Sequence, residues 1–87
     1  VFGLCGGGAY AEYVVVHGRT IAPIPANLSF SEAAAIPEVF ITAYDALVSQ
    51  MRLVPGDNVL ISAVGSGVGT AAVQIVKALG ARSIGTS

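Results

Sequence analysis

Apolar positions along the chain switch between the period of a strand and that of a helix, and glycines mark most of the switches. Val1–Leu4 is a short apolar run, broken by Gly6-Gly7-Gly8. Tyr10–Val16 is aromatic and β-branched and predicts a strand, with Tyr13, Val15 and His17 on one face and Glu12, Val14 and Val16 on the other. Thr20–Ile24 predicts a short extended piece, because Pro23 and Pro25 block a helix and suit a sheet edge. Ser29-Phe30-Ser31-Glu32 has capping-box spacing and predicts a brief alanine-rich helix ending near Pro37. A second helix is expected from Glu38 to Gln50, with Val39, Phe40, Ala43, Ala46 and Leu47 as its apolar stripe. Thr42, Asp45 and Ser49 fall on its polar side.

Pro55-Gly56-Asp57 then signals a turn, and Asn58–Ser62 a strand. Ala63–Gly69 opens the strongest helical pattern in the chain. Val68, Ala71, Ala72, Ile75, Val76 and Leu79 form its stripe, while Thr70, Gln74 and Lys77 face away. Gly80 is a helix stop, and Arg82–Thr86 predicts another strand. Strand, glycine turn, helix and strand make a βαβ unit, whose crossover is expected to be right-handed. One such unit covers only part of a parallel sheet, which normally has both faces buried. The chain is therefore expected to be an internal piece of a larger protein, at the seam of two domains, and to be inactive and poorly soluble alone.

Composition narrows the function classes. Apolar residues make up 54% of the 87 and charged residues 10%, against roughly 25% charged in typical globular chains. With four basic and five acidic side chains there is no basic stripe for nucleic acid. The apolar content argues against intrinsic disorder, and no run approaches the ~18 apolar residues of a membrane span. Cys5 is the sole cysteine, so neither a disulfide framework nor an all-cysteine zinc site lies within the chain. No secretory pattern opens the sequence, and a cytoplasmic location is expected.

The glycine turn is where the sequence points to chemistry. Between a strand and a helix, glycines let the backbone approach a phosphate, and the first helical N–H groups lack intrahelical partners. Gly67, Val68 and Gly69 would supply such donors, with the Ser66 hydroxyl as a further one. No Gly-Lys-Ser/Thr follows, so this is not a P-loop, and Gly65, Gly67 and Gly69 miss the strict dinucleotide register. The cluster reads either as a plain tight turn or as a phosphate cradle, and its place between strand and helix favours the cradle. An acidic residue about 20 positions on would bind the ribose of NAD. Ser87 stands near that place, and a small neutral residue leaves room for a 2′-phosphate, which points toward NADPH.

Gly7-Gly8-Ala9-Tyr10-Ala11-Glu12-Tyr13-Val14-Val15 resembles a strand of the medium-chain dehydrogenase/reductase superfamily. Ala34-Ala35-Ile36-Pro37-Glu38 with Thr42-Ala43-Tyr44 resembles its helical hinge, and Pro55–Ile61 its first Rossmann strand. Ala63-x-x-Ser66-Gly67-Val68-Gly69-Thr70-Ala71-Ala72-x-Gln74 is similar to the loop of its quinone oxidoreductase branch. Ser66-Gly67-Val68-Gly69-Thr70-Ala71-Ala72 after Ile36-Pro37-Glu38 most resembles the NADPH-dependent quinone oxidoreductases inducible by a tumour-suppressor transcription factor. The resemblance implies an α/β architecture, with the end of a GroES-like substrate barrel over residues 1–28 and a helical hinge over 29–55. The start of a Rossmann (doubly wound parallel) NADP(H)-binding domain would occupy 56–87. It further implies that Thr42 contacts the nicotinamide carboxamide and that Ser66, Gly67, Val68 and Gly69 face the pyrophosphate. Ser66 replaces the glycine of the branch's commonest form.

Zinc alcohol dehydrogenases of the superfamily have a cysteine ligand where this chain has Glu38, and polyol dehydrogenases a glutamate. No four-cysteine lobe separates Leu4 from the Gly-Ala-Tyr segment, which fits the zinc-free branch. Cys5 reads as inert, His17 as a satisfied strand-end residue, and Tyr10, Tyr13 and Tyr44 as packing residues. The function expected is hydride transfer from NADPH to quinones or related activated carbonyl compounds (enones among them), without metal. The full-length protein is expected to be a homodimer joined through the Rossmann sheet edge. A zinc alcohol or polyol dehydrogenase and a non-enzymatic, crystallin-like cofactor-binding protein are the alternatives. No general acid is evident in the segment, and no catalytic residue is assigned.

Overall fold

The computed structural model describes all of residues 1–87. It divides into two compact units, residues 1–38 and 39–87.

In the first unit β1 (Phe2–Gly3) pairs antiparallel with β2 (Ile21–Ala22), Phe2 opposite Ala22 and Gly3 opposite Ile21. Of the expected extended piece at residues 20–24 only β2 is strand, because a 3₁₀ turn over Gly18–Thr20 precedes it. His17 caps that turn, its Nδ1 accepting from the Arg19 N–H at 3.1 Å, so the histidine is satisfied, as expected, by a local backbone contact. Tyr10–Val16 is not a strand. Its composition suits a sheet, but strand structure needs a ladder partner, and no segment pairs with it. Tyr10, Tyr13 and Val15 are correspondingly exposed, so the two tyrosines do not pack as expected.

α1 (Phe30–Ala34) starts at the predicted capping box. The Glu32 N–H donates to Ser29 Oγ at 3.2 Å, and Glu32 Oε2 accepts from the Ser29 N–H and hydroxyl at 2.8 Å each. These bonds from Ser29, the backbone one first, hold the Glu32 carboxyl below its ordinary pKa because they favour the charged form. α2 (Pro37–Tyr44) opens at the end of the first unit and runs into the second.

The second unit holds a contiguous core of Ala43, Leu47, Val59, Ile61, Ala71, Ala72 and Val76. The expected helix to Gln50 is present, but its last six residues, Asp45–Gln50, are π-helical, and the Met51 N–H reaches back to the Ala46 carbonyl at 3.0 Å. The wider turn shifts the inward stripe. Ala46, expected inside, is exposed, and Val48 is half-buried against the core in its place.

At Val54–Asp57 the chain reverses. The Asp57 N–H donates to the Val54 carbonyl at 3.2 Å, Pro55 presets the first corner, and Gly56 takes the second at φ +92°. β3 (Asn58–Ile61) turns Val59 and Ile61 into the core and Asn58 and Leu60 outward. α3 (Gly67–Ala78) buries Gly69, Ala71, Ala72 and Val76. The ends of its predicted stripe, Val68 and Leu79, stay more than a third exposed. α3 closes in a Schellman motif: the Ala81 N–H donates to the Val76 carbonyl at 3.0 Å and the Gly80 N–H to the Lys77 carbonyl at 3.2 Å. That geometry requires the left-handed φ of +75° at Gly80, which glycine adopts without strain. β4 (Arg82–Gly85) pairs parallel with β3 from Asn58↔Arg82 to Ile61↔Gly85. No helix is long and apolar enough to cross a membrane.

Candidate cofactor-binding loop

Because β3 and β4 are parallel, their C-terminal ends lie side by side, and the loop Ser62–Ser66 leaves from that end to start α3. Hydrogen bonds fix the loop to the strands. The Thr86 N–H donates to the Ile61 carbonyl and the Val64 N–H to the Thr86 carbonyl, both at 3.0 Å. Ala63 adopts φ +52°, a left-handed conformation that costs an alanine about 1 kcal/mol. The Ser66 N–H closes the turn on the Ala63 carbonyl at 2.9 Å.

Ser66 is the N-cap of α3. Its Oγ accepts from the Gly69 N–H at 3.0 Å. This corrects one part of the sequence expectation: of the three helical N–H groups, that of Gly69 is taken. Those of Gly67 and Val68 make no hydrogen bond within the chain and sit at the positive end of a twelve-residue helix. With its oxygen on Gly69, the Ser66 hydroxyl keeps its proton for an outside acceptor.

Gly69 is glycine for a steric reason. A Cβ there would stand 2.6 Å from the Ala63 carbonyl oxygen, 2.7 Å from that of Val64 and 2.8 Å from Val64 Cα. The helix therefore seats directly on the loop backbone. A Cβ on Gly67 would meet Val39 Cγ1 at 3.0 Å, so α2 comes up to the loop one helical turn before Thr42. Thr42 is exposed on that helix, with Asp45 and Ser49 exposed further along. Ser87 lies two residues beyond β4, past the strand end to which the loop is tied. Thr42, Ser66–Gly69 and Ser87 thus all belong to the second unit.

The arrangement fits the diphosphate of a dinucleotide. Two free N–H groups face out at a helix start, no acidic residue stands in the first turn of α3, and the space beside Gly65 is open. Tyr44, expected to pack, is half exposed and lines an open groove with Phe40, Ile41 and Ile75. Glu38 is exposed, and no group of three or more His, Cys, Asp or Glu side chains is placed to hold a metal ion. Cys5 is exposed. Sequence reasoning missed Val64 and Gly85, which meet where the loop crosses β4. A glycine within a strand was the available signal, since it often marks a close approach.

By its likeness to solved structures the chain is a fragment of the medium-chain dehydrogenase/reductase fold, with a parallel βαβ pair. The chain is homologous to quinone oxidoreductases, polyketide synthase enoyl reductases and alcohol dehydrogenase superfamily proteins at about 40% identity. It is 45% identical over 87 residues to the spectinabilin polyketide synthase system protein NorB of Streptomyces orinoci. Over 80 residues it is 39% identical to the quinone oxidoreductase of Homo sapiens. The first match takes in 100% of the chain but 4% of the relative, and the second 92% of the chain but 24% of the relative. Among solved structures, the quinone oxidoreductase from Thermus thermophilus, also solved in complex with NADPH, matches 95% of the chain and 28% of its own at 40% identity and a TM-score of 0.87. The CurK enoyl reductase matches 76% of the chain and 20% of its own at 44% identity and a TM-score of 0.73. No family profile matches the chain.

Proposed function

We propose that the chain forms the cofactor-facing part of a zinc-independent, NADPH-dependent reductase that passes hydride to quinones or related activated carbonyl compounds. The observation that carries this reading is the pair of free N–H groups at Gly67 and Val68, above the C-terminal ends of two parallel strands. These donors and the Ser66 hydroxyl would hold the diphosphate, Thr42 the nicotinamide carboxamide, and Ser87 would leave room for the 2′-phosphate. NADPH, when bound, supplies the hydride, and the protein supplies orientation and a dry site. A quinone takes hydride into a conjugated system, so its reduction needs no metal Lewis acid. The Ser66–Ala72 run supports the tumour-suppressor-inducible branch in particular. A cytoplasmic homodimer completes the reading.

A second acceptor class has support of its own. The similarity to the CurK enoyl reductase and to NorB favours a conjugated enoyl thioester as the alternative hydride acceptor. Titrating NADPH and NADH into the full-length protein, followed by nicotinamide fluorescence, tests the cofactor reading. Adding a quinone or an enoyl thioester then separates the acceptors. Preferential NADPH binding with quinone-dependent oxidation is expected. Binding of neither nucleotide would contradict the proposal, and bound zinc would move it to the alcohol dehydrogenases.

A further inference from the structure

We propose that Gly85 and Val64 form a positioning pair that sets where the loop Ser62–Ser66 sits over the end of β4, and so where the Gly67 and Val68 N–H groups point. The inference rests on the reading of this loop as the NADPH diphosphate site and adds to it a residue pair outside the glycine motif.

A Cβ on Gly85 would lie 2.8 Å from each of Cβ, Cγ1 and Cγ2 of Val64. Because Val64 Cβ is itself among these atoms, no side-chain rotation relieves the contact, and the loop backbone has to move. Val64 has nowhere easy to go. Its N–H is bonded to the Thr86 carbonyl at 3.0 Å, and on its other side its Cα and carbonyl lie under Gly69. Its side chain also packs against the core. Ala63, next to it, holds a left-handed φ of +52°, a conformation that persists only where neighbours enforce it. Val64 therefore passes any movement of the β4 end into the three residues before Gly67. The short side of this contact is Gly85: only the missing Cβ lets the valine settle onto the strand.

The pair is tested in the full-length protein by measuring the NADPH dissociation constant for the parent, Gly85→Ala, Val64→Ile and the double variant Gly85→Ala/Val64→Gly, which removes the crowded Val64 Cβ as well as both methyl groups. Thermal unfolding without nucleotide is recorded for each. Gly85→Ala and Val64→Ile are expected to weaken binding roughly tenfold, because overpacking displaces the loop. The double variant, which removes the crowding, is expected to return to within about threefold of the parent, with kcat at saturating NADPH within about twofold throughout. A merely structural defect would lower the thermal unfolding temperature and leave NADPH affinity of the folded protein unchanged. Unchanged binding in Gly85→Ala overturns the proposal, as does a loss that Val64→Gly does not repair. If Gly85→Ala fails to fold, Val64→Ile decides: parent-like binding overturns the pair and weakened binding supports it. A parent protein that binds no NADPH would instead remove the underlying reading, and the pair with it.

Discussion

Residues 1–38 and 39–87 are both rich in apolar side chains, yet they use them differently. The second unit buries seven hydrophobic residues in one cluster, whereas the first buries Ala33 and Pro37 and leaves Tyr10, Tyr13 and Val15 almost fully exposed. The difference is one of hydrogen-bond closure. Beyond its first turn α3 satisfies its own backbone, and it packs beside β3 and β4, which pair with each other, so the βαβ unit holds within itself the ladder that its strands need. A strand satisfies nothing by itself. Tyr10–Val16 has the composition of a strand but no neighbour, and so remains irregular.

The largest test of this contrast is Gly69→Ala. It drives a methyl group into two carbonyl oxygens of the loop and is expected to destabilise the second unit by about 3 kcal/mol in denaturant unfolding and to abolish NADPH binding. Val76→Ala, at a fully buried side chain on the same helix, is expected to cost about 2 kcal/mol without shifting nucleotide affinity beyond what stability explains. Parent-like stability in either variant would mean that the α3–β3–β4 core is not what holds the unit.

Caps compare the two units on equal chemical terms. Ser66→Ala and Ser29→Ala each lose a serine N-cap worth about 1 kcal/mol. For Ser66 the loss should appear as lower global stability, because α3 supplies three of the seven core residues, Ala71, Ala72 and Val76. For Ser29 it should appear only as faster amide hydrogen exchange in the five-residue α1. Global destabilisation from Ser29→Ala would break the comparison.

The smallest effect is a pH dependence. Glu32 has its pKa lowered in the folded chain by the bonds from Ser29, so its contribution is fully present above the ordinary glutamate range and is lost as pH falls through the lowered folded value. A Glu32 carboxyl titration by NMR should show a midpoint below that of a free glutamate, and Ser29→Ala should raise it. A midpoint unaffected by Ser29→Ala would contradict the capping box.

What the sequence made legible follows the same division. β3, α3, the Gly80 stop and β4 were readable because each rests on local periodicity or a local cap. The capping box at Ser29 and the turn at Pro55-Gly56 were readable from spacing alone. The π-helical end of the second helix was not, since its stripe depends on what Leu47 and Val48 pack against rather than on residue type. Within the site, the loop and its N-cap position were visible, but the assignment of the Gly69 N–H to Ser66 was a choice between two acceptors that only geometry makes. The Gly85–Val64 contact joins residues 21 positions apart and carries no local signature.

In the proposed complex the start of α3 would offer the Gly67 and Val68 N–H groups, and not that of Gly69, to the NADPH diphosphate. Amide NMR spectra of the full-length protein during an NADPH titration test it directly. The Gly67 and Val68 amide protons are expected to move strongly downfield on binding while the Gly69 amide, held by Ser66 Oγ, shifts little. Saturating NADPH that leaves Gly67 and Val68 unmoved, with the changes gathered elsewhere, would contradict it.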